Sequence, residues 1–165
     1  MKKLSPQELK GKKAEERFIA LARSLRVNGE KIWIGKVKKT RPRLDAAGID
    51  VTIYITRSDG QSTKVPFQIK SSPHHIGVFA KHHPECVAFG VPIVIVNGRH
   101  PDEAILYRIK QELENIRQTG KDFELLYDAV RSRYREIVQG PRTRIESYRR
   151  DVLERVRRQE INKGE

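Results

Sequence analysis

The residues best suited to chemistry lie on two short segments with alternating polarity. In residues 49–56 the odd positions are apolar and the even ones polar, beginning with Asp50. Residues 64–70 repeat the pattern and end with Gln68 and Lys70 on the polar parity. Alternation of this kind predicts two strands, and the Ser-Asp-Gly turn between them predicts antiparallel pairing.

The register of this strand pair determines whether the polar residues meet. A two-residue turn would set each apolar residue opposite a polar one, so aligned apolar faces require a three- or five-residue loop. Two registers meet that condition, and they place Asp50 opposite either Lys70 or Gln68. In both registers a carboxylate, an amide and an ammonium converge at one end of the pair, on the face away from Val51 and Phe67.

Such a cluster could support phosphodiester hydrolysis. Carboxylate and amide oxygens are hard ligands that suit Mg²⁺ or Mn²⁺. A bound divalent ion polarises a phosphodiester and lowers the pKa of a water molecule, and Lys70 would orient that water or offset developing charge. The alternative is a solvated face with a surface Asp–Lys pair, worth less than about 1 kcal/mol.

The charge balance indicates a polyanionic partner. The 165 residues hold 34 Lys or Arg against 21 Asp or Glu, a formal net charge of +13. Residues 1–40 alone hold twelve basic and four acidic residues. Such an excess favours a nucleic-acid or acidic-membrane surface. No aromatic repeat accompanies it, so a stacking platform for single strands is not indicated.

The polar cluster and its surroundings resemble the PD-(D/E)xK nuclease superfamily, in particular its archaeal Holliday junction resolvase and Mrr-type restriction endonuclease branches. The matching segments are Gly-Lys-Lys-Ala-Glu at 11–15, Gly-Ile-Asp-Val at 48–51 and Phe-Gln-Ile-Lys-Ser at 67–71. The resemblance covers about residues 8–118. It implies that Asp50 is the central metal ligand and Lys70 the catalytic lysine. It also implies that Glu15 completes the metal site, with Gln68 at the second acidic position and the Ile69 carbonyl facing the ion.

Two departures from the family pattern bear on activity. Gln68 replaces the commoner Asp or Glu; Gln occurs there in Mrr-like members, but the loss of a negative charge should weaken metal binding. The Pro-Asp pair of the superfamily's name is absent before Asp50. The resemblance thus implies a Mg²⁺- or Mn²⁺-dependent DNA endonuclease for branched, repair or restriction substrates, with RNA as a further substrate class. The alternative is a weak or inactive nuclease-fold protein that binds DNA.

The elements that must position these residues follow from periodicity. Ser5-Pro6 and Glu8 predict a helix start, residues 32–37 a strand, residues 41–48 a loop, and residues 71–86 an irregular or partly helical stretch. A buried strand is expected at 91–96, a helix from Pro101 to Gly120, another over 123–138, and a last one through 145–156. The expected fold is α/β, a restriction-endonuclease-like α-β-β-β-α-β core (residues 1–120) with a central mixed sheet. Residues 121–165 form a basic helical extension, packed on the core or on a partner such as a second copy in a homodimer.

Further residues are assigned around the cluster. Asp45 lies in the loop before Asp50 and is a further candidate for metal or substrate contact, whereas Glu16 is expected to face solvent. The candidate nucleic-acid contacts are Lys12, Lys13, Lys38, Lys39, Arg41, Arg43, Ser71, Ser72 and His74.

The histidines and the single cysteine between residues 74 and 86 lack zinc-finger spacing, so a loop beside the cleft is favoured over a zinc site. No segment is apolar enough to span a bilayer. One cysteine and no signal sequence favour a soluble, cytoplasmic protein without membrane association.

Overall fold

The computed structural model describes residues 3–27, 33–139 and 152–157, and it shows an α/β protein. In chain order the elements are α1 (Pro6–Val27), β1 (Ile34–Lys39), α2 (Pro42–Ala46), β2 (Val51–Thr56), β3 (Ser62–Lys70), α3 (His74–His82), α4 (Pro84–Ala88), β4 (Ile93–Ile95), α5 (Asp102–Thr119) and α6 (Glu124–Gln139). Residues 152–157 are also helical, whereas the rest of the predicted last helix lies outside the described residues.

The four strands form one mixed sheet in the order β1-β2-β3-β4. Strand β2 is antiparallel to both β1 and β3, whereas β4 runs parallel to β3. Val51 pairs with Phe67 and Thr56 with Ser62, so the loop between β2 and β3 has five residues. This confirms one of the two predicted registers, the one that sets Asp50 opposite Gln68.

Helices α1 and α5 pack together on the apolar face of the sheet. The ring of Phe18 on α1 lies 5.3 Å from that of Phe67 on β3, and both side chains are fully buried. Helix α5 buries four apolar residues at helical spacing, Ile105, Ile109, Leu113 and Ile116. These contacts hold the N-terminal helix against the strands that carry the polar cluster.

The opposite face of the sheet is covered, which contradicts the alternative interpretation of the polar cluster as a solvated face. Asp50, Thr52, Pro66 and Gln68 are all buried. Helix α6 packs on this face, where the hydroxyls of Thr52 and Tyr127 lie 2.7 Å apart in a buried hydrogen bond. The periodicity of β2 predicted that this face of the strand carries polar residues, but the sequence of β2 alone does not reveal that a helix covers the face.

Local signals explain where most elements begin and end. Ser5 and Glu8 form a reciprocal cap at the start of α1, with the Ser5 amide donating to the Glu8 carboxylate at 2.7 Å. Gly120 adopts a φ of +65° at the end of α5, as a C-cap glycine commonly does. The predicted loop at 41–48 instead contains α2, which begins at Pro42 because proline fits the first turn of a helix. Residues 71–86 contain α3 and the start of α4, which confirms a partly helical stretch, although most of the segment is helix and not the loop expected beside the cleft.

The buried core continues across the predicted domain boundary at residue 120. Phe123, Leu126, Tyr127 and Val130 of α6 belong to the same cluster of buried residues as the strands. Among the described helices, none is long and apolar enough to cross a membrane.

Candidate active site

Asp50 lies immediately before β2 and forms three hydrogen bonds with the neighbouring strand, one as donor and two as acceptor. Its amide donates to the carbonyl of Phe67 at 3.0 Å. Its carboxylate oxygen Oδ2 accepts from the amide of Ile69 at 2.7 Å and from Nε2 of Gln68 at 2.6 Å. Asp50 is only 6% exposed, so its carboxyl group is held inside the protein at the edge where β3 ends.

Gln68 is the second buried polar residue of the site, with 3% exposure. Besides Asp50, its Nε2 also approaches the carbonyl oxygen of Ile69 at 3.3 Å. Its Oε1 is buried and has no hydrogen-bond partner among the described residues. A buried acceptor without a donor costs about 1–3 kcal/mol, so this atom marks a place where a ligand would be favourable.

The environment of Asp50 disfavours its charged form. Burial raises the pKa of Asp50 from 3.8 to about 7, although the hydrogen bond from the Ile69 amide opposes the rise. A side-chain hydrogen bond with Asp45 and the negative charges of Glu15 and Asp45 contribute to this rise in the pKa of Asp50.

Glu15 and Asp45 reach the cluster from different elements. Glu15 lies on α1, and its carboxylate forms an ion pair with the ammonium of Lys39 on β1 at 2.8 Å. That pair raises the pKa of Lys39, chiefly through the hydrogen bond with Glu15. Asp45 lies on α2 and is exposed. Glu16 is also exposed, as expected, and its carboxylate lies 4.0 Å from the ammonium of Lys12.

Lys70 lies at the end of β3, two residues after Gln68 on the same face of the strand. Its ammonium lies 5.0 Å from the ring centroid of Phe79 on α3, a distance typical of a cation–π contact. The carbonyl of Lys70 accepts from the amide of Val96 at 2.8 Å, which fixes the end of the strand. Lys70 is half-buried at the edge of the cluster, where its charge remains accessible.

The turn before Asp50 packs closely on α3 and α4. Gly48 has a φ of +90°, and a Cβ there would lie 2.7 Å from the ring of Phe79 and 2.8 Å from that of His83. The thiol of Cys86 is buried beneath this turn and approaches the carbonyl of Ala47 at 3.4 Å. In the described part of the chain, no group of three or more His, Cys, Asp or Glu side chains is arranged to hold a metal ion.

A second feature, here called the basic groove, lies beside the cluster with a volume of about 850 Å³. It runs between α1, the turn after β3 and the turn after β4, and none of the described residues lining it is acidic. Its lining comprises Gln7, Lys10, Lys13, Ala14, Arg17, Ser71, Ser72, Pro73, His74, His75, Val96, Asn97, Gly98 and Arg99. The fold thus collects cations from segments that are far apart in the sequence.

The predicted nucleic-acid contacts divide between the basic groove and other surfaces. Lys13, Ser71, Ser72 and His74 line the groove. Of the other predicted contacts, those that the structure describes lie outside the groove. Lys12 lies elsewhere on α1, and Arg41 is exposed just before α2. On β1, Lys38 contacts the ring of Tyr54 and Lys39 pairs with Glu15. The side chain of Arg43 lies outside what the structure describes.

Among the basic side chains and histidines that line the groove, sequence reasoning missed Lys10, Arg17, His75 and Arg99. Lys10 could have been found, because it precedes Lys13 by three positions and therefore shares a helix face with it. Arg99 gave no such signal, since its place in the groove depends on the parallel pairing of β4 with β3.

Comparisons with protein-family models, with curated proteins and with solved structures find no match for this chain.

Proposed function

We propose that the protein is a metal-dependent endonuclease that hydrolyses phosphodiester bonds of DNA. The observation that carries this proposal is the arrangement around Gln68. Its Nε2 contacts two oxygens, one from Asp50 and one from Ile69, while its own Oε1 is buried and accepts no hydrogen bond from the part of the chain that the structure describes. A half-turn of the amide exchanges Nε2 and Oε1, so that three oxygens would face a shared position.

The donor set fits a hard divalent cation. Asp50, Gln68 and the Ile69 carbonyl would hold it, with Glu15 as a further ligand and Asp45 close enough to assist. Oxygen donors of these kinds are those that Mg²⁺ and Mn²⁺ prefer. Bound there, the ion would polarise a phosphodiester and lower the pKa of a water molecule. The Lys70 ammonium lies at the edge of this cluster, where it would offset the charge that develops on the phosphate.

The architecture supports the same proposal. The order α-β-β-β-α-β, with an extra short helix before β2 and two helices before β4, agrees with the restriction-endonuclease-like core that the motifs predict. The carboxylate and the Gln-x-Lys segment lie at one end of adjacent strands, as that core requires. The basic groove lies beside them, so attraction for a polyanion and the hydrolytic cluster would act on the same ligand.

A second candidate function is a DNA-binding protein that keeps this fold without catalysis. Two contacts favour it: the Gln68 amide already bridges the oxygens of Asp50 and Ile69, and Lys39 neutralises Glu15. Hydrogen bonds and an ion pair would then take the place of a bound cation.

Cleavage assays on branched, linear and single-stranded DNA and on RNA, in Mg²⁺, Mn²⁺ or EDTA, test the proposal. We expect metal-dependent cutting by the wild type and a loss of at least about 100-fold in Asp50→Asn and Lys70→Ala. Lys64→Ala is the matched control, because Lys64 lies on the same strand and parity but contacts Tyr127. Binding of DNA without cutting in either metal would refute the nuclease proposal and leave the second candidate.

A further inference from the structure

The basic groove is lined by several cations and by no acidic residue among those described, although one of its cations, Arg17, pairs with Asp102 outside the lining. Lys10 and Lys13 share one wall on α1, and Arg99 lies on the opposite wall after β4. Ser71 and Ser72 line the groove directly after Lys70, at the turn that leads into α3. Ammonium, guanidinium and hydroxyl groups on several sides of a cleft form a site for phosphate groups.

The size of the groove exceeds what a single phosphate needs. About 850 Å³ lies at the upper end of the volumes that hold a drug-sized ligand. Buried Ala14 and Val96 line it together with Pro73, which adds an apolar surface between the polar groups. Sugar and base atoms have such apolar surfaces, so the lining fits nucleotide units rather than free phosphate.

Arg17 joins the two walls of the groove. Its guanidinium on α1 donates to the carbonyl of Asn97 at 2.7 Å and to that of His100 at 2.7 Å, and it pairs with Asp102 at 2.6 Å. The cleft is therefore bridged at this side by the Arg17 side chain. A base can enter a pocket only when it leaves the stack, which costs least in an unpaired strand.

We infer that the basic groove binds an unpaired, phosphate-bearing stretch of a nucleic-acid strand next to the Asp50 cluster. The inference deepens the proposed function by naming the form of its substrate, and it rests on that function only for the nucleic-acid partner. It does not depend on hydrolysis, so binding can be measured with catalysis disabled.

The test is fluorescence anisotropy in EDTA with two labelled DNA duplexes, one blunt and one carrying an unpaired tail of a few nucleotides. We expect the wild type to bind the tailed duplex at least about fivefold more tightly. Lys13→Gln should remove most of this preference, and it should reduce the steepness of the salt dependence by about 0.7 per lost phosphate contact. Lys12→Gln, the same charge change one residue away and outside the groove, should retain the preference.

The possible outcomes distinguish a failure of this inference from a failure of the nuclease proposal. Equal affinity for tailed and blunt duplexes, or equal effects of the two lysine variants, would overturn the inference while leaving the nuclease proposal intact. A wild type that binds neither duplex would overturn both. Circular dichroism of the two variants should match that of the wild type, because both lysines are exposed on α1.

Discussion

Asp50 combines two properties that are rarely found together without a function. It is buried, and two further carboxylates raise the pKa that burial has already raised. A residue of this kind weakens the fold at neutral pH, since its charge must be held in a poor solvent. Perturbed titration in a cleft is more common at functional sites than elsewhere, which is why the cluster is of interest beyond its resemblance.

The raised pKa predicts how Asp50 affects stability across pH. Asp50 titrates near 3.8 in the unfolded chain and near 7 in the folded one, so between these values the folded state binds more protons and stability falls as the pH rises. Asp50→Asn mimics the protonated form. We expect the effect of Asp50→Asn on the free energy of unfolding to be more favourable at pH 8 than at pH 5 by on the order of 2–4 kcal/mol. Each tenfold difference in proton affinity between the folded and the unfolded chain contributes about 1.4 kcal/mol to this value.

Urea unfolding of both proteins in EDTA at the two pH values measures this difference. Asp59→Asn is the control: it is an exposed turn residue whose pKa is lowered, chiefly by the hydrogen bond from the Gln61 amide. Its effect should not change between pH 5 and pH 8. An Asp50→Asn effect that is the same at both pH values would contradict a folded-state pKa between them.

Gln68 sets the strength of the proposed metal site. Gln68→Glu adds a negative charge beside Asp50, so we expect lower thermal stability at pH 8 in EDTA and at least a tenfold gain in affinity for Mg²⁺ or Mn²⁺. Added metal should then restore the melting temperature. Titration calorimetry and thermal melts measure both effects, with Gln61→Glu at the opposite end of the strand pair as the matched control. Unchanged metal affinity in Gln68→Glu would count against a cation at this position.

At the scale of elements, the site depends on the turn between α2 and β2. The alternation of the strands restricted the partner of Asp50 to Lys70 or Gln68, because the apolar faces must align, and the structure has the second of these registers. It did not predict the burial of the polar face, which depends on α6 and on contacts over 75 positions of sequence. Gly48 belongs to the Gly-Ile-Asp-Val motif at 48–51, but its close approach to Phe79 and His83 depends on the three-dimensional fold.

Gly48→Ala tests how tightly this turn is held. The substitution meets two penalties, the positive φ and the short contacts with Phe79 and His83. Gly60 has a φ of +83°, but among the described atoms none lies within 4 Å of the position that a Cβ would take there. Gly60→Ala therefore meets only the penalty of the positive φ. We expect about 1–2 kcal/mol of destabilisation for Gly60→Ala and at least about 1 kcal/mol more for Gly48→Ala. Denaturant unfolding of the two variants separates the penalties, and equal losses would show that α3 yields to the added methyl group.

At the scale of the whole molecule, local signals predicted the order of the elements better than their assembly. The capping pair Ser5 and Glu8, the glycine at 120 and the two alternating strands are all readable in sequence, because each depends on near neighbours. The basic groove is not, since Lys10, Ser72 and Arg99 meet only after β4 pairs with β3. The clustering of positive charge near the N-terminus predicted a polyanionic partner, whereas the position of the basic groove follows only from the fold.

The same long-range packing decides whether residues 1–120 form a domain alone. Phe123, Leu126, Tyr127 and Val130 are buried in the common core, and burying a large apolar side chain is worth about 1.5–3 kcal/mol. Losing four of them removes about as much free energy as a typical domain's whole stability of about 5–15 kcal/mol. It also exposes Thr52, whose hydroxyl would lose Tyr127.

We therefore expect a chain ended at residue 120 to lack a cooperative unfolding transition, whereas one ended at residue 139, which retains α6, should unfold cooperatively. Thermal and urea unfolding followed by circular dichroism compares the two. A cooperative transition in the shorter chain would show that the sheet and its first face suffice. In that case α6 would be an accessory that protects the polar face, and the boundary predicted at residue 120 would stand as a domain boundary.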